Sequence, residues 1–298
     1  MRFYIKRPYM FFKDNPLENA IEHESIRGIS LLLKFGVSVN TIVIENRRML
    51  QVAFEKGDAK IVKYLLSKGA DINLCDDNDN FYLIKALEWE NEEITEFILK
   101  RINYVNLVGK ALTRAIRWGN KNIIKLMLEK EKKIDYTDVD TVFDIPLNNA
   151  IILNPELAVL LIEMGVDIDF HIKNGDIPLV TAIGRNSQIA KLLIEKGAEV
   201  NLVGVHYTPL TKSIACGDKE IFELLMEKGA DVNLCDISKT PLTIAAENEN
   251  LEMLKKIIEK GADVNLFDKN GDTALSIAKR KNNMRIIIFL LDVGANKT

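Results

Sequence analysis

Chemistry needs side chains that can converge, and this 298-residue chain offers few that do so in catalytic patterns. Histidine occurs three times, at His23, His171 and His206. The three lie in separate units of a repeating pattern. Packed helices sit ~10 Å apart, so the imidazoles are not expected to meet, and each reads as a surface side chain. The three cysteines, Cys75, Cys216 and Cys235, form no C-x-x-C pair, so neither a zinc site nor a disulfide framework is indicated. Cys75 and Cys235 share one repeat position five units apart, too far for a disulfide. There is no glycine-rich phosphate loop, no H-E-x-x-H and no nucleophile elbow. Carboxylates are plentiful, but they sit at helix ends or at i, i+4 spacing from a base, as in Glu252 and Lys256, which describes solvated faces. The expectation is a chain with no catalytic residue, no metal ligand and no cofactor.

Recognition chemistry has better candidates. The only two tryptophans are Trp89 and Trp118, and Arg114 and Arg117 accompany them. Tryptophan and arginine are the types enriched where binding energy concentrates. Whether these residues share a surface depends on the elements that carry them.

Those elements repeat. The phrase LLSKGADIN (65–73) returns as LIEMGVDID (161–169), LIEKGAEVN (193–201), LMEKGADVN (225–233) and IIEKGADVN (257–265), with LLLKFGVSVN (31–40) before it and LLDVGANKT at the end. Two degenerate copies, ILKRINYVN (98–106) and the stretch around 131–135, keep the beat through the middle. A second phrase runs in step: TPLTKSIA (208–215), TPLTIAAE (240–247) and TALSIAKR (273–280), with six weaker versions. The two phrases together define about nine units with a period near 33.

Each part of the unit has a physical reason. Thr208 and Thr240 can cap the helix that follows, with Pro209 and Pro241 at its first position, where no amide hydrogen is needed. Small residues such as Ala245, Ala246 and Ala278 allow close helix approach. Leu251, Leu254, Ile257 and Ile258 give the second helix an apolar face. Gly261 supplies the left-handed residue that stops it. Asn270-Gly271 in DKNGD (268–272) is a tight-turn signal for a hairpin finger.

The phrases TPLTIAAE and IIEKGADVN resemble the ankyrin repeat, a β-turn followed by two antiparallel helices. The resemblance covers residues 13–298, with 1–12 expected as an N-terminal capping segment. It implies an all-α fold, an ankyrin repeat solenoid of about nine stacked helix-turn-helix units with short hairpin fingers. One departure is consistent. The histidine of the family's T-P-L-H is replaced by Thr211, Thr243, Ser276, Asn148 or Val180. Hydroxyl and amide groups can still bond to the loop and Val180 cannot, so a slightly less stable array is expected.

A stack of such units encloses no central cavity. The resemblance implies a non-enzymatic protein-protein interaction module, holding a partner on the concave groove of first helices and fingers. Aligned units place Lys85, Glu88 and Trp89, then Arg114, Arg117 and Trp118, then Leu153 and Arg185 on that line. The finger from Asn106 to Leu112 is four residues shorter than that from Asn265 to Leu275, which should open the groove there. The competing reading is that each indole packs over a neighbouring helix and fills space. The alternative functions are a substrate-presenting or targeting subunit of an enzyme complex, for which no recruiting segment is expected beyond Thr298, and a secreted effector.

Apolar residues make up 47% and charged residues 28%, which excludes general disorder. A net charge of −3 gives no overall pull towards nucleic acid or acidic membranes. No apolar run reaches the ~20 residues of a membrane span. MRFYIKRPYMFF has no continuous apolar core, so a secretory leader is not expected. A cytoplasmic protein follows, with another protein as its partner. Ile288 stands where other units have a charged residue, Glu223 or Lys255, so weak self-association through the C-terminal helix is a further expectation.

Overall fold

The computed structural model describes residues 16–44, 47–73, 81–102, 109–130, 145–170 and 175–296. The capping segment 1–12, Cys75, His171 and the fingers at 103–108 and 131–144 lie outside these residues. The chain divides into two compact units, Met1–Glu131 and Lys132–Thr298.

Among the described residues, helices dominate both units and form the pairs that follow. The first holds four pairs: α1 (Pro16–Glu22) with α2 (Ile26–Lys34), α3 (Met49–Lys56) with α4 (Ala59–Ser67), α5 (Phe81–Glu88) with α6 (Glu92–Arg101), and α7 (Gly109–Trp118) with α8 (Lys121–Lys130). The second holds five: α9 (Pro146–Leu153) with α10 (Pro155–Glu163), α11 (Pro178–Ile183) with α12 (Ser187–Glu195), α13 (Pro209–Cys216) with α14 (Lys219–Glu227), α15 (Pro241–Glu247) with α16 (Leu251–Glu259), and α17 (Ala274–Arg280) with α18 (Met284–Asp292). In each unit the two helices of a pair pack together, and each first helix packs on the first helix of the next pair. The result is an all-α repeat stack within each unit. One finger contains a short antiparallel ribbon, Ile42–Ile44 against Arg47–Arg48, in keeping with the hairpin fingers expected.

The capping chemistry matches the residues. Thr208, Thr240 and Thr273 each accept the amide three residues on, while the hydroxyl of Thr211, Thr243 or Ser276 accepts the cap's own amide. These are complete capping boxes, each contributing ~1 kcal/mol. They stand at the position where the family carries histidine. Asn148 at the same position donates from Nδ2 to the Asp176 carbonyl at 2.7 Å, so an amide does bond to the loop. Val180 there is buried.

Every second helix is also capped. Ser25, Asp58, Asn91, Asn120, Asn154, Asn186, Asp218, Asn250 and Asn283 each accept an amide of the first turn. The residue before the cap is left-handed in several pairs. Gly57, Gly119 and Gly217 take that backbone freely, whereas Glu24, Glu90, Glu249 and Asn282 take it at φ between 49° and 57°.

Between repeats runs an asparagine ladder. Asn201 Oδ1 accepts from the Asp231 amide, Asn233 Oδ1 from Asp263 and Asn265 Oδ1 from Asn296, each at 2.8 Å. Asn40 does the same for Asp71 at 2.9 Å in the first unit. The Nδ2 groups of Asn201, Asn233 and Asn265 return bonds to the carbonyls of Gly229, Gly261 and Gly294. The last letter of the sequence phrase is thus the tie from one unit to the next. Beneath it lies the core, with Phe54, Ile61, Leu65 and Leu83 in one unit and Leu161, Leu193, Phe222 and Leu225 in the other, all almost fully buried.

Candidate functional site

In the first unit, α5 and α7 carry five of the eight sequence candidates, and Trp89, just past α5, is a sixth. Glu88 joins two of them, receiving Lys85 Nζ at 2.8 Å and Arg114 Nη1 at 2.9 Å. This Lys85–Glu88–Arg114 network ties α5 to α7 along the surface. All three side chains keep substantial solvent contact, so the bridge itself adds less than ~1 kcal/mol. Its effect is to hold three charged groups in one arrangement.

Trp89 follows Glu88 and is half-buried. Its indole stacks on Phe54 of the preceding pair, with centroids 5.0 Å apart and planes 12° from parallel. Phe54 is itself buried and packs on Tyr82 at 5.0 Å. The packing role expected of an indole is therefore present, and the ring still keeps part of its surface in water. Trp118 is half-buried at the end of α7, with Arg117 exposed beside it.

In the second unit, Leu153 and Ile152 at the end of α9 are 56% and 41% exposed. Arg185 is exposed just after α11. It edges an open cleft of about 350 Å³ bounded by Asn148, Ile152, Asp176, Thr181, Gly184 and Lys212. The cleft lies between first helices, where the groove was placed, and the sequence reading did not single it out. Lys212 Nζ lies 4.6 Å from the centroid of the Tyr207 ring, a cation–π contact.

The remaining titratable groups stay dispersed. His23 and His206 are exposed. Among the described residues no group of three or more His, Cys, Asp or Glu side chains is placed to hold a metal. The Cys235 thiol is pushed up by burial, then by the charge of Asp236, so it is less nucleophilic than a free thiol. The C-terminal helix α18 exposes Met284 and Ile288, and Val293 is exposed just after it. No helix among the described residues is long and apolar enough to cross a membrane.

With the two-helix unit, the capping boxes and the inter-repeat ladder established, the comparison with known families is direct. The family described as "Ankyrin repeats (3 copies)" matches residues 49–140, 147–236 and 233–298. The chain belongs to the ankyrin repeat family. It is similar to an ankyrin repeat protein of fowlpox virus (FPV244), 28% identical over 135 residues, or 45% of this chain and 20% of that protein. It is also similar to the phosphocholine transferase AnkX of Legionella pneumophila, 27% identical over 157 residues, or 51% of this chain and 14% of that protein. The chain thus spans a fifth or less of each relative's length in these matches. Ankyrin repeats are in general protein-interaction modules, and this array is one by family.

Proposed function

We propose that this ankyrin array is a non-enzymatic module that grips a partner protein along its first-helix line. In the first unit the grip uses Trp89, Trp118, Arg114, Arg117, Glu88 and Lys85, and in the second Leu153 and Arg185. The observation that carries the reading is the fixed aromatic and ionic cluster on α5 and α7. Trp89 is pinned over Phe54 and Arg114 is held by Glu88. A partner meeting this cluster orders few side chains on contact, which lowers the entropic cost of association. The exposed Leu153 adds apolar area. We place the protein in the cytoplasm, where free thiols such as Cys216 persist.

The test is a pull-down of cellular partners by the wild-type array and by the Trp89→Ala/Trp118→Ala variant, with thermal unfolding of both. Loss of a captured partner while the fold survives is the expected result. Unchanged capture by a destabilised variant sinks the reading and leaves the indoles as packing groups.

A second reading is favoured by one observation, the similarity to part of a phosphocholine transferase. Here the array presents a substrate to a catalytic partner or catalytic segment. A captured protein that becomes covalently modified when array and cell extract are combined, detected by intact mass, would distinguish this from simple holding.

A further inference from the structure

An ion pair recurs inside three of the repeats and is absent from others. The residue two positions before a first helix pairs with the residue eight further on, at that helix's end. Arg47 pairs with Glu55 at 2.5 Å, Lys239 with Glu247, and Asp272 with Arg280. The last is bidentate, with Arg280 Nη1 and Nη2 donating to the two Asp272 oxygens at 3.1 and 3.0 Å. In the pair α11–α12 the corresponding residues are Asp176 and Gly184. The carboxylate is kept and the cation is missing.

Gly184 lies on the wall of the open cleft that Asn148, Ile152, Asp176 and Lys212 also bound. Among the described residues, two buried acceptors beside the cleft have no hydrogen-bond partner, Asp176 Oδ1 and Asn148 Oδ1. Asn148 is 3% exposed, and its Nδ2 is already committed to the Asp176 carbonyl, which fixes the amide's orientation and leaves its oxygen over. An unsatisfied buried acceptor costs free energy that a donor recovers. The nearby Lys212 does not serve, because its ammonium is engaged over the Tyr207 ring.

We infer that this cleft receives an arginine side chain from a partner protein, which completes the clamp that Arg280 makes within its own repeat. A guanidinium offers five donors in a planar fork, enough for both Asp176 oxygens and the Asn148 oxygen. The aliphatic stem of the arginine would lie along Ile152, which is 41% exposed at the cleft wall. The inference deepens the groove reading above by naming the chemistry of one of its pockets. It concerns the second unit alone.

The test is titration of the isotopically labelled protein with acetyl-Gly-Gly-Arg-Gly-Gly-amide, following backbone amide signals by NMR. This probe reads the pocket with no cellular partner present, so failure of the Trp89/Trp118 pull-down and failure here are separate results. Saturable shifts confined to residues around Asn148, Asp176 and Gly184 are expected. The same peptide with citrulline, isosteric but uncharged, should give none. Asp176→Asn should weaken binding about tenfold or more. Gly184→Arg supplies the clamp internally, so it should abolish peptide binding while leaving the thermal transition at or above that of the wild type. The backbone at Gly184 is right-handed helical, and an added Cβ would meet only the flexible end of Lys212. Shifts of equal size with citrulline, binding unaffected by Asp176→Asn, or no localised shifts at all would overturn the inference.

Discussion

Residue-scale evidence separates what was readable from what was not. Trp89 was placed on the groove line by counting within the repeat, and Phe54 beneath it was not, because Phe54 stands one unit earlier on a face that the count does not compare. The same limit hid the broken clamp. Opposite charges at 47 and 55, 239 and 247, and 272 and 280 were visible as letters, but the last pair reverses the signs of the other two and most repeats lack the pair, so no consensus letter marks it. Glu90 gives a direct test of local backbone cost. It holds a left-handed φ of 51° where Gly57, Gly119 and Gly217 stand in sister repeats. A non-glycine residue there costs ~1 kcal/mol, partly offset by the extra freedom glycine gives the unfolded chain. Glu90→Gly should therefore raise stability by about 0.5 kcal/mol in urea unfolding, and Gly57→Ala should lower it by about 1 kcal/mol. A pH prediction comes from the intact clamp. Hydrogen bonds from Arg280, and next from Ser276, hold the Asp272 carboxyl below the ordinary carboxylate range. A depressed folded value means stability that is present above the unfolded value and is lost as the pH falls through the folded one. Arg280→Met should flatten the fall in stability below about pH 4, by lowering stability slightly at neutral pH and leaving the acid end little changed. A fall as steep as the wild type's in that variant would show that the clamp contributes nothing to folding.

Among the elements, the second helices were legible as apolar stripes, and their starts were also open to reading. Asparagine, aspartate or serine precedes each of them, a cap signal as strong as the threonine-proline pair of the first helices. The ladder was harder to see, since it joins residues about thirty apart and only a stacked geometry makes them neighbours. Asn233 is its middle rung in the second unit. It accepts from Asp263 and donates to Gly261, so it ties the α13–α14 pair to the α15–α16 pair. Asn233→Ala removes both bonds at an exposed site where water can partly replace them. A loss of about 1 kcal/mol is expected, seen as a lower urea midpoint with an unchanged slope. A change in slope instead would mean that the rung controls cooperativity between repeats.

For the whole molecule, the array's stability is carried by contacts between neighbours, so position in a stack sets how well a repeat is held. In the second unit the pairs α13–α14 and α15–α16 have repeats on both sides, and both first helices have complete capping boxes. Among the described residues the pair α17–α18 packs on one repeat, through α15, and α18 turns Met284 and Ile288 to solvent. Native-state hydrogen exchange should thus find the slowest amides in α13 to α16, with α17 and α18 opening at lower free energy. Gly184→Arg would add an internal clamp to α11 and should slow exchange there without changing α17 and α18, because coupling in a stack passes mainly to adjacent repeats. Uniform protection across α9 to α18 would contradict this and mark the unit as one cooperative block. In that case a partner bound at any one repeat would stabilise all of them equally. Graded protection instead leaves the repeats nearest the partner as the ones it holds shut.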